Sequence, residues 1–316
     1  ETLATAQHFF FDKTGTLTED RVQWRQTVLT PAGVGWPGGE TEVLCRAASL
    51  AQWSTHPLAR ALVAQAGPPE IATAADAWRD VQELPGRGLQ AVDAQGRLWQ
   101  LGSAQWLHQP QDSLQDTKEN ANNDLRVWLA CDGRVGAGFA FDEVLREGAQ
   151  ALVAALKSEG VRVTLATGDS PARACALAQR IGLDEVLAAA TPQDKLDAVA
   201  RAQAGGSRVV MVGDGVNDAP VLARADASLA MGQGALVSRS HADAVITSNR
   251  LQDLLDARRT AKRAMRIVRQ NLAWAAAYNA VCIPLALVGW LPPWAAGLGM
   301  ATSSLVVVLN ALRAAR

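Results

Sequence analysis

The chain has 316 residues, 49% of them hydrophobic and 19% charged, with a formal net charge of −1. That length suits two or three domains, and the near-zero charge leaves no general basic surface for nucleic-acid binding. Four widely spaced cysteines, Cys45, Cys131, Cys175 and Cys282, exclude a zinc-finger spacing and a disulfide framework and fit a reducing compartment.

In chain order, "HFFF" (8–11) reads as a short buried strand ending at Asp12, with Gly15 free to turn the chain just beyond it. From Glu19 to Gly138 the pattern is irregular. It includes a loop at 31–40, a polar excursion at 108–124 and a hairpin turning at Asp132-Gly133. Helical stretches at 147–159, 171–181, 193–203 and 216–224 then alternate with apolar strands at 161–167, 208–214 and 227–232. Buried strands alternating with helices predict an α/β fold, a doubly wound parallel sheet. The irregular segment predicts an α+β domain inserted after the first strand. The expected division is 1–18 and 139–262 for the sheet domain, 19–138 for the insert, and 263–316 for a C-terminal helical region.

That region holds two runs without charge, about 272–290 and 294–312, separated by Leu291, Pro292 and Pro293. Each is long enough to cross a hydrocarbon core of ~30 Å, so a transmembrane hairpin is expected. Lys262, Arg263, Arg266, Arg269, Arg313 and Arg316 flank its open end, which places the soluble domains on the cytoplasmic side. Trp290 and Trp294 fall at the far turn, where interfacial aromatics belong. The competing reading is a buried helical hairpin of a soluble core, which rarely runs this long without a charge.

Asp12, Thr167 and Asp214 all fall at predicted strand ends, where chemistry collects in such sheets. A partly desolvated carboxylate at Asp12 is placed to act as a nucleophile. Asp12 and Asp214 could share Mg²⁺, a cation that takes carboxylate, carbonyl and phosphate oxygens. "TGDS" (167–170) offers a hydroxyl and backbone N–H groups at a helix start, which suits phosphate. Lys195 adds a fixed cation. Taken singly, each has a plainer reading as turn former, helix cap or solvated lysine. Taken together and in order, they describe a phosphoryl-transfer site with an aspartyl-phosphate intermediate. No GxxxxGK[ST] phosphate loop is present.

"DKTGTLT" (12–18), "TGDS" and "GDGVNDAP" (213–220) resemble the phosphorylation domain of P-type ATPases, within the haloacid-dehalogenase-like superfamily. The resemblance implies that Asp12 takes the γ-phosphate of ATP. It implies that Asp214 and the Thr14 carbonyl hold Mg²⁺, and that Lys13, Thr167, Gly168, Asp169, Lys195, Asn217 and Asp218 complete the site. Related phosphatases carry a second, acid/base Asp where Thr14 stands, and its absence fits a persistent phosphoenzyme. The insert then resembles the nucleotide-binding domain. "STHPLARAL" (54–62) is similar to the SEHPL motif of heavy-metal pumps, pointing to His56. "GRG" (86–88) matches the family's GxG through Gly86 and Gly88, and "LGS" (101–103) puts Gly102 where the family has Gly-Asn. Thr55 and Ala51 depart from glutamates of the family, and Glu147 stands where relatives often have Pro.

"NLAWAAAYN" (271–279) and "MATSS" (300–304) resemble the signatures of the last two helices of copper(I)-transporting members. The subgroup that supplies copper for cytochrome oxidase assembly looks nearest. The resemblance implies Tyr278, Asn279, Met300, Ser303 and Ser304 as residues for transported Cu⁺. Met sulfur suits that soft cation, although residues of these types also serve ordinary helix packing. A complete pump has more transmembrane helices, an actuator domain and an intramembrane CPC motif. The chain is therefore expected to be the C-terminal part of a multi-pass pump, in a bacterial inner membrane, working with its N-terminal part and a copper chaperone. The rivals are a Zn²⁺ or Co²⁺ pump, a soluble phosphatase of the same superfamily, and a non-catalytic sensor using the fold.

Overall fold

The computed structural model describes residues 1–36, 38–67, 78–107, 125–214, 218–232 and 242–315. A short helix α1 (Thr2–Thr5) leads into β1 (His8–Asp12). β2 (Thr18–Leu29), α2 (Pro31–Val34), α3 (Gly39–Ala51), α4 (Pro57–Ala66), β3 (Arg79–Leu84), β4 (Gly88–Val92), β5 (Leu98–Gly102), β6 (Leu125–Cys131) and β7 (Arg134–Leu145) follow. The chain then alternates α5 (Ala149–Ser158), β8 (Arg162–Ala166), α6 (Pro171–Ile181), β9 (Glu185–Leu187), α7 (Pro192–Ala204), β10 (Val209–Gly213), α8 (Ala219–Arg224), β11 (Ala227–Met231) and β12 (Ala244–Ile246). Two helices close it, α9 (Leu251–Leu287) and α10 (Pro293–Ala311).

The three phenylalanines of β1 show why the first sheet is covered on both faces. Side chains alternate along a strand. Phe9 and Phe11 enter a core with Leu152, Leu156, Leu177 and Leu254, while Phe10 enters another with Val199, Met211 and Leu222. The sheet is parallel, in the order β9-β8-β1-β10-β11-β12. Chain order reverses at β1, so the crevice beyond the carboxyl ends of β1 and β10 is the switch point where ligands bind in such sheets.

The second sheet is antiparallel, β2-β7-β6-β5-β4-β3. Its buried residues, such as Leu89, Leu101, Leu129 and Phe139, pack with Leu50 and Leu62 of α3 and α4. Asp132 and Gly133 both have positive φ and turn β6 into β7, as two-residue hairpins require. β2 and β7 pair from Thr18↔Leu145 to Leu29↔Ala137. The two chain crossings between the sheets are therefore one long ribbon, and the expected seam at 138/139 falls inside β7.

Two features depart from the sequence reading. β9 and β12 are three-residue strands, too short to leave an apolar run. The basic segment and the first uncharged run are one continuous 37-residue helix, α9, with Pro284 inside it. Among the described residues, Pro293–Ala314 is the one helix long and apolar enough to cross a membrane. The uncharged end of α9 carries Asn271, Tyr278, Asn279 and Pro284, which hold its hydropathy lower. The two helices pack together through Trp274 Nε1 donating to Ser303 Oγ (3.0 Å) and Asn310 Nδ2 donating to Asn271 Oδ1 (2.9 Å). No residue of α10 is buried, which is not the environment of a soluble-core hairpin.

Candidate active site

Asp12 closes β1 and is buried, with Lys195 Nζ donating to its Oδ1 at 2.6 Å. The same ammonium donates to Asp218 Oδ1 at 2.8 Å. Burial, then the neighbouring Asp218 carboxylate, push the Asp12 pKa up to about 6 against the opposing pull of Lys195. Burial alone would lower the Lys195 pKa, but Asp12 and Asp218 outweigh it and raise it, so the lysine stays cationic. Its position follows from local sequence. In "TPQDK", Pro192 is the first helical residue and Thr191 caps α7, with reciprocal bonds from Asp194 N to Thr191 Oγ1 (3.2 Å) and Thr191 N to Asp194 Oδ2 (2.9 Å). This capping box fixes the first turn, and Lys195 with it.

Between Asp12 and β2 the chain turns through Gly15 at φ +68°, where a Cβ would lie 1.5 Å from Asp214 Oδ2. The Asp214 carboxylate is thus packed against the Gly15 backbone, beside the Asp12 loop. Arg146 also holds this loop. Its guanidinium donates to the carbonyls of Gly15 (2.6 Å), Thr16 (2.8 Å) and Asn249 (3.1 Å). Two carboxylates with an exposed Thr14 beside them form a hard oxygen set of the kind Mg²⁺ accepts while keeping waters and substrate oxygens. Among the described residues no group of three or more His, Cys, Asp or Glu gathers as a metal site.

The other predicted residues divide. Thr167 is buried at the end of β8, next in register to Asp12, and its Oγ1 accepts from Asp169 N at 3.1 Å. Gly168 follows it in the same turn. Lys13 is turned away from Asp12. Its ammonium is bonded to Glu143 and, at 2.7 Å, to Asp169. Arg173 completes the group, 2.8 Å from Glu143 and 3.5 Å from Asp169. Asn217 lies outside the described residues. Glu143, Arg146 and Arg173 were not singled out in the sequence. A charged side chain in a strand or helix reads as a solvated face, and no local signal separates these three from that.

In the insert, a cavity of about 570 Å³ is lined by His56, Gly86, Gly88 and Gly102, with Ser54, Glu83, Arg87, Arg126 and an apolar floor including Leu62, Leu89 and Leu101. All four residues expected at a nucleotide site therefore share one cavity. Gly88 and Gly102 face each other across β4 and β5. A Cβ on Gly88 would meet Leu101 O at 2.2 Å, and one on Gly102 would meet Arg87 O at 2.3 Å, so neither tolerates a side chain. His56 caps α4, its Nδ1 accepting from Leu58 N at 3.3 Å. The neutral ring therefore carries its proton on Nε2, as a donor.

The five hairpin residues do not form one cluster. Tyr278 packs against Gly299, where a Cβ would lie 2.8 Å from its hydroxyl. Ser303 is occupied by Trp274. Asn279, Met300 and Ser304 are exposed on the outside of the pair.

A family model described as haloacid dehalogenase-like hydrolase matches residues 6–226. The chain is 36% identical over 307 residues to a copper-exporting P-type ATPase of Mycobacterium tuberculosis, covering 96% of the chain and 39% of that protein. It is 37% identical over 321 residues to the probable copper-transporting ATPase SynA of Synechococcus elongatus, covering 99% and 39%. Among solved structures, a zinc-transporting PIB-type ATPase in the E2.Pi state matches with a TM-score of 0.87 at 30% identity, over 100% of this chain and 51% of that one. The catalytic domain of the CPx-ATPase CopB-B matches with a TM-score of 0.62 at 27% identity, over 81% and 90%. The chain thus spans less than half the length of the curated relatives it matches.

Proposed function

Because the chain belongs to the haloacid dehalogenase-like hydrolase family, we propose that it is the catalytic part of a P-type ATPase and that Asp12 is phosphorylated by ATP. The observation that carries this is the buried Asp12 carboxylate at the switch point of the sheet, held 2.6 Å from the Lys195 ammonium. An Asp12 oxygen attacks the γ-phosphorus, the bond to the bridging oxygen breaks, and ADP leaves. Water later cleaves the acyl phosphate. Lys195 offsets the charge gathering on the transferred group, in a setting where water is excluded. The insert binds ATP in the His56 cavity, and the β2–β7 ribbon brings that cavity toward Asp12. Mg²⁺ held by Asp12, Asp214 and the Thr14 carbonyl would neutralise phosphate oxygens. Thr167 and Gly168 would meet the phosphate, with Asn217 as a further contact expected from the motif and Asp218 steadying Lys195.

Asp12→Asn keeps the shape of the site and leaves Lys195 bonded to Asp218. The expected result is loss of the hydroxylamine-labile phosphoprotein with ATP binding retained. An acid-stable, hydroxylamine-labile phosphoprotein in that variant would refute the assignment.

For the whole protein, the reading is a copper(I) pump in a membrane, with both sheets on the cytoplasmic side. α10 spans ~29 Å at 1.5 Å per residue, close to a ~30 Å hydrocarbon core. Soft Met300 and the absence of any charged residue from α10 favour Cu⁺, as do the names of the relatives. Asn279, Met300 and Ser304 face outward from the hairpin, where helices of the remaining pump would complete a site. The zinc-transporting structural relative keeps Zn²⁺ as the rival. Phosphoenzyme formation by the intact pump that requires Cu(I) or Ag(I) supports the copper reading. Dependence on Zn²⁺ replaces it.

A further inference from the structure

The four-charge group of Lys13, Glu143, Asp169 and Arg173 stands apart from the phosphorylation chemistry. Lys13 is 6% exposed and the other three are only one-fifth to one-quarter exposed. Lys13 follows Asp12 directly, Asp169 lies in the turn after β8, and Arg173 sits in the first turn of α6. All three belong to the parallel-sheet unit. Glu143 belongs to β7, the strand by which the chain leaves the insert, and pairs there with Val22 of β2. Its carboxylate therefore ties the connecting ribbon to the loop beside Asp12 through Lys13, and to the sheet's flanking helix through Arg173.

A two-stranded ribbon can twist and bend, so pairing between β2 and β7 alone does not fix the angle of the insert over Asp12. A side-chain tie at the base of the ribbon does. We infer that the Glu143–Arg173 pair, with Lys13, is a latch that sets the approach of the insert, so that Glu143 and Arg173 are positioning residues for transfer from ATP. The inference rests on the phosphoryl-transfer reading of Asp12. It also makes a distinction that reading does not. A small donor such as acetyl phosphate reaches Asp12 without the insert. With either donor an Asp12 oxygen bonds to phosphorus as the bond to the leaving ADP or acetate breaks, so the chemistry at Asp12 is the same.

The test is phosphoenzyme formation by the full chain from ATP and, separately, from acetyl phosphate, together with equilibrium ATP binding. Glu143→Gln and Arg173→Gln should each slow formation from ATP by about 10- to 100-fold, the scale of a 1 Å misplacement. ATP affinity and the rate from acetyl phosphate should stay at wild-type values. The double variant should be no slower than Glu143→Gln alone, because that variant already breaks both ties of the ribbon, to Lys13 and to Arg173. Glu143→Asp should restore most of the rate. A parallel fall with both donors would overturn the inference, because the group would then support Asp12 itself. An equal fall in ATP affinity would overturn it by moving the effect to the cavity, and an unchanged rate from ATP would overturn it outright. A wild-type chain that accepts phosphate from neither donor would remove the reading of Asp12, and the latch with it.

Discussion

At the scale of single residues, two positions carry sharp consequences. Gly15 combines a left-handed backbone with a space already occupied by Asp214, whose Oδ2 and Cγ would lie 1.5 and 2.3 Å from a Cβ. Gly15→Ala must strain the turn, at about 1–3 kcal/mol, and displace the carboxylate. The expected outcome is a lowered melting temperature and no phosphoenzyme, and a variant with wild-type phosphorylation would show that the packing of Asp214 on Gly15 is dispensable. His8, at the opposite end of β1, gives a pH dependence. It is buried, its Nδ1 has no partner among the described residues, and its Nε2 lies 2.8 Å from Thr164 Oγ1, which donates to Glu185. Burial first and Arg162 second lower its pKa to about 4, against the weaker opposing effect of Glu185. Between pH 4 and 6.5 the unfolded chain binds a proton that the folded chain refuses. This contribution is therefore whole above pH 6.5 and is lost as pH falls towards 4, amounting to about 3 kcal/mol. Urea unfolding of His8→Phe against wild type should show the variant with a flatter decline across that window, and parallel declines would exclude His8 as the cause.

At the scale of elements, α4 shows one residue serving both a helix and a cavity. His56 caps the helix through Nδ1 and lines the cavity. Asn is among the preferred N-caps, so His56→Asn should leave stability within about 0.5 kcal/mol while weakening ATP binding roughly tenfold, a loss of about 1.4 kcal/mol. His56→Ala should lose both, and unchanged ATP affinity in both variants would separate the cavity from the nucleotide. The same elements show what sequence could reveal. The buried strand at "HFFF" and the turn at Asp132-Gly133 are local patterns, and the structure keeps both. The cavity residues were legible through motif resemblance, although Gly88 and Gly102 meet only when β4 and β5 pair. Glu143, Arg146 and Arg173 were not legible. Apart from Asp169, four residues before Arg173, their partners lie across the fold, as with Glu143 and Lys13 at a separation of 130 residues, and no local periodicity encodes such a contact. The short edge strands β9 and β12 were missed because three residues are too few for an alternation to show.

At the scale of the whole molecule, α9 belongs to two environments. Its first half is built into the parallel-sheet unit. Leu251, Leu254 and Leu255 enter the core, and buried Arg258 bonds to Glu159 (2.8 Å), the Leu3 carbonyl (2.7 Å) and the Ala6 carbonyl (3.2 Å). Ile267 is the last buried side chain. Beyond it Leu272, Val281, Ile283 and Leu287 are exposed, as are Trp290, Trp294 and Leu298 across the turn. A contiguous apolar surface of this extent marks a membrane or partner contact and not a solvated face. The anchor and the hairpin are therefore separable, with the dividing point after Ile267 and before Leu272. A chain ending at Gln270 keeps every buried contact of α9. It should be soluble without detergent, unfold at the temperature of the full chain's soluble part, and form phosphoenzyme at the same rate. The full chain should require detergent for extraction. Aggregation of the shortened chain, or loss of its phosphoenzyme, would mean that the hairpin is part of the catalytic fold. Detergent-free solubility of the full chain would mean that its apolar surface is covered by something other than lipid.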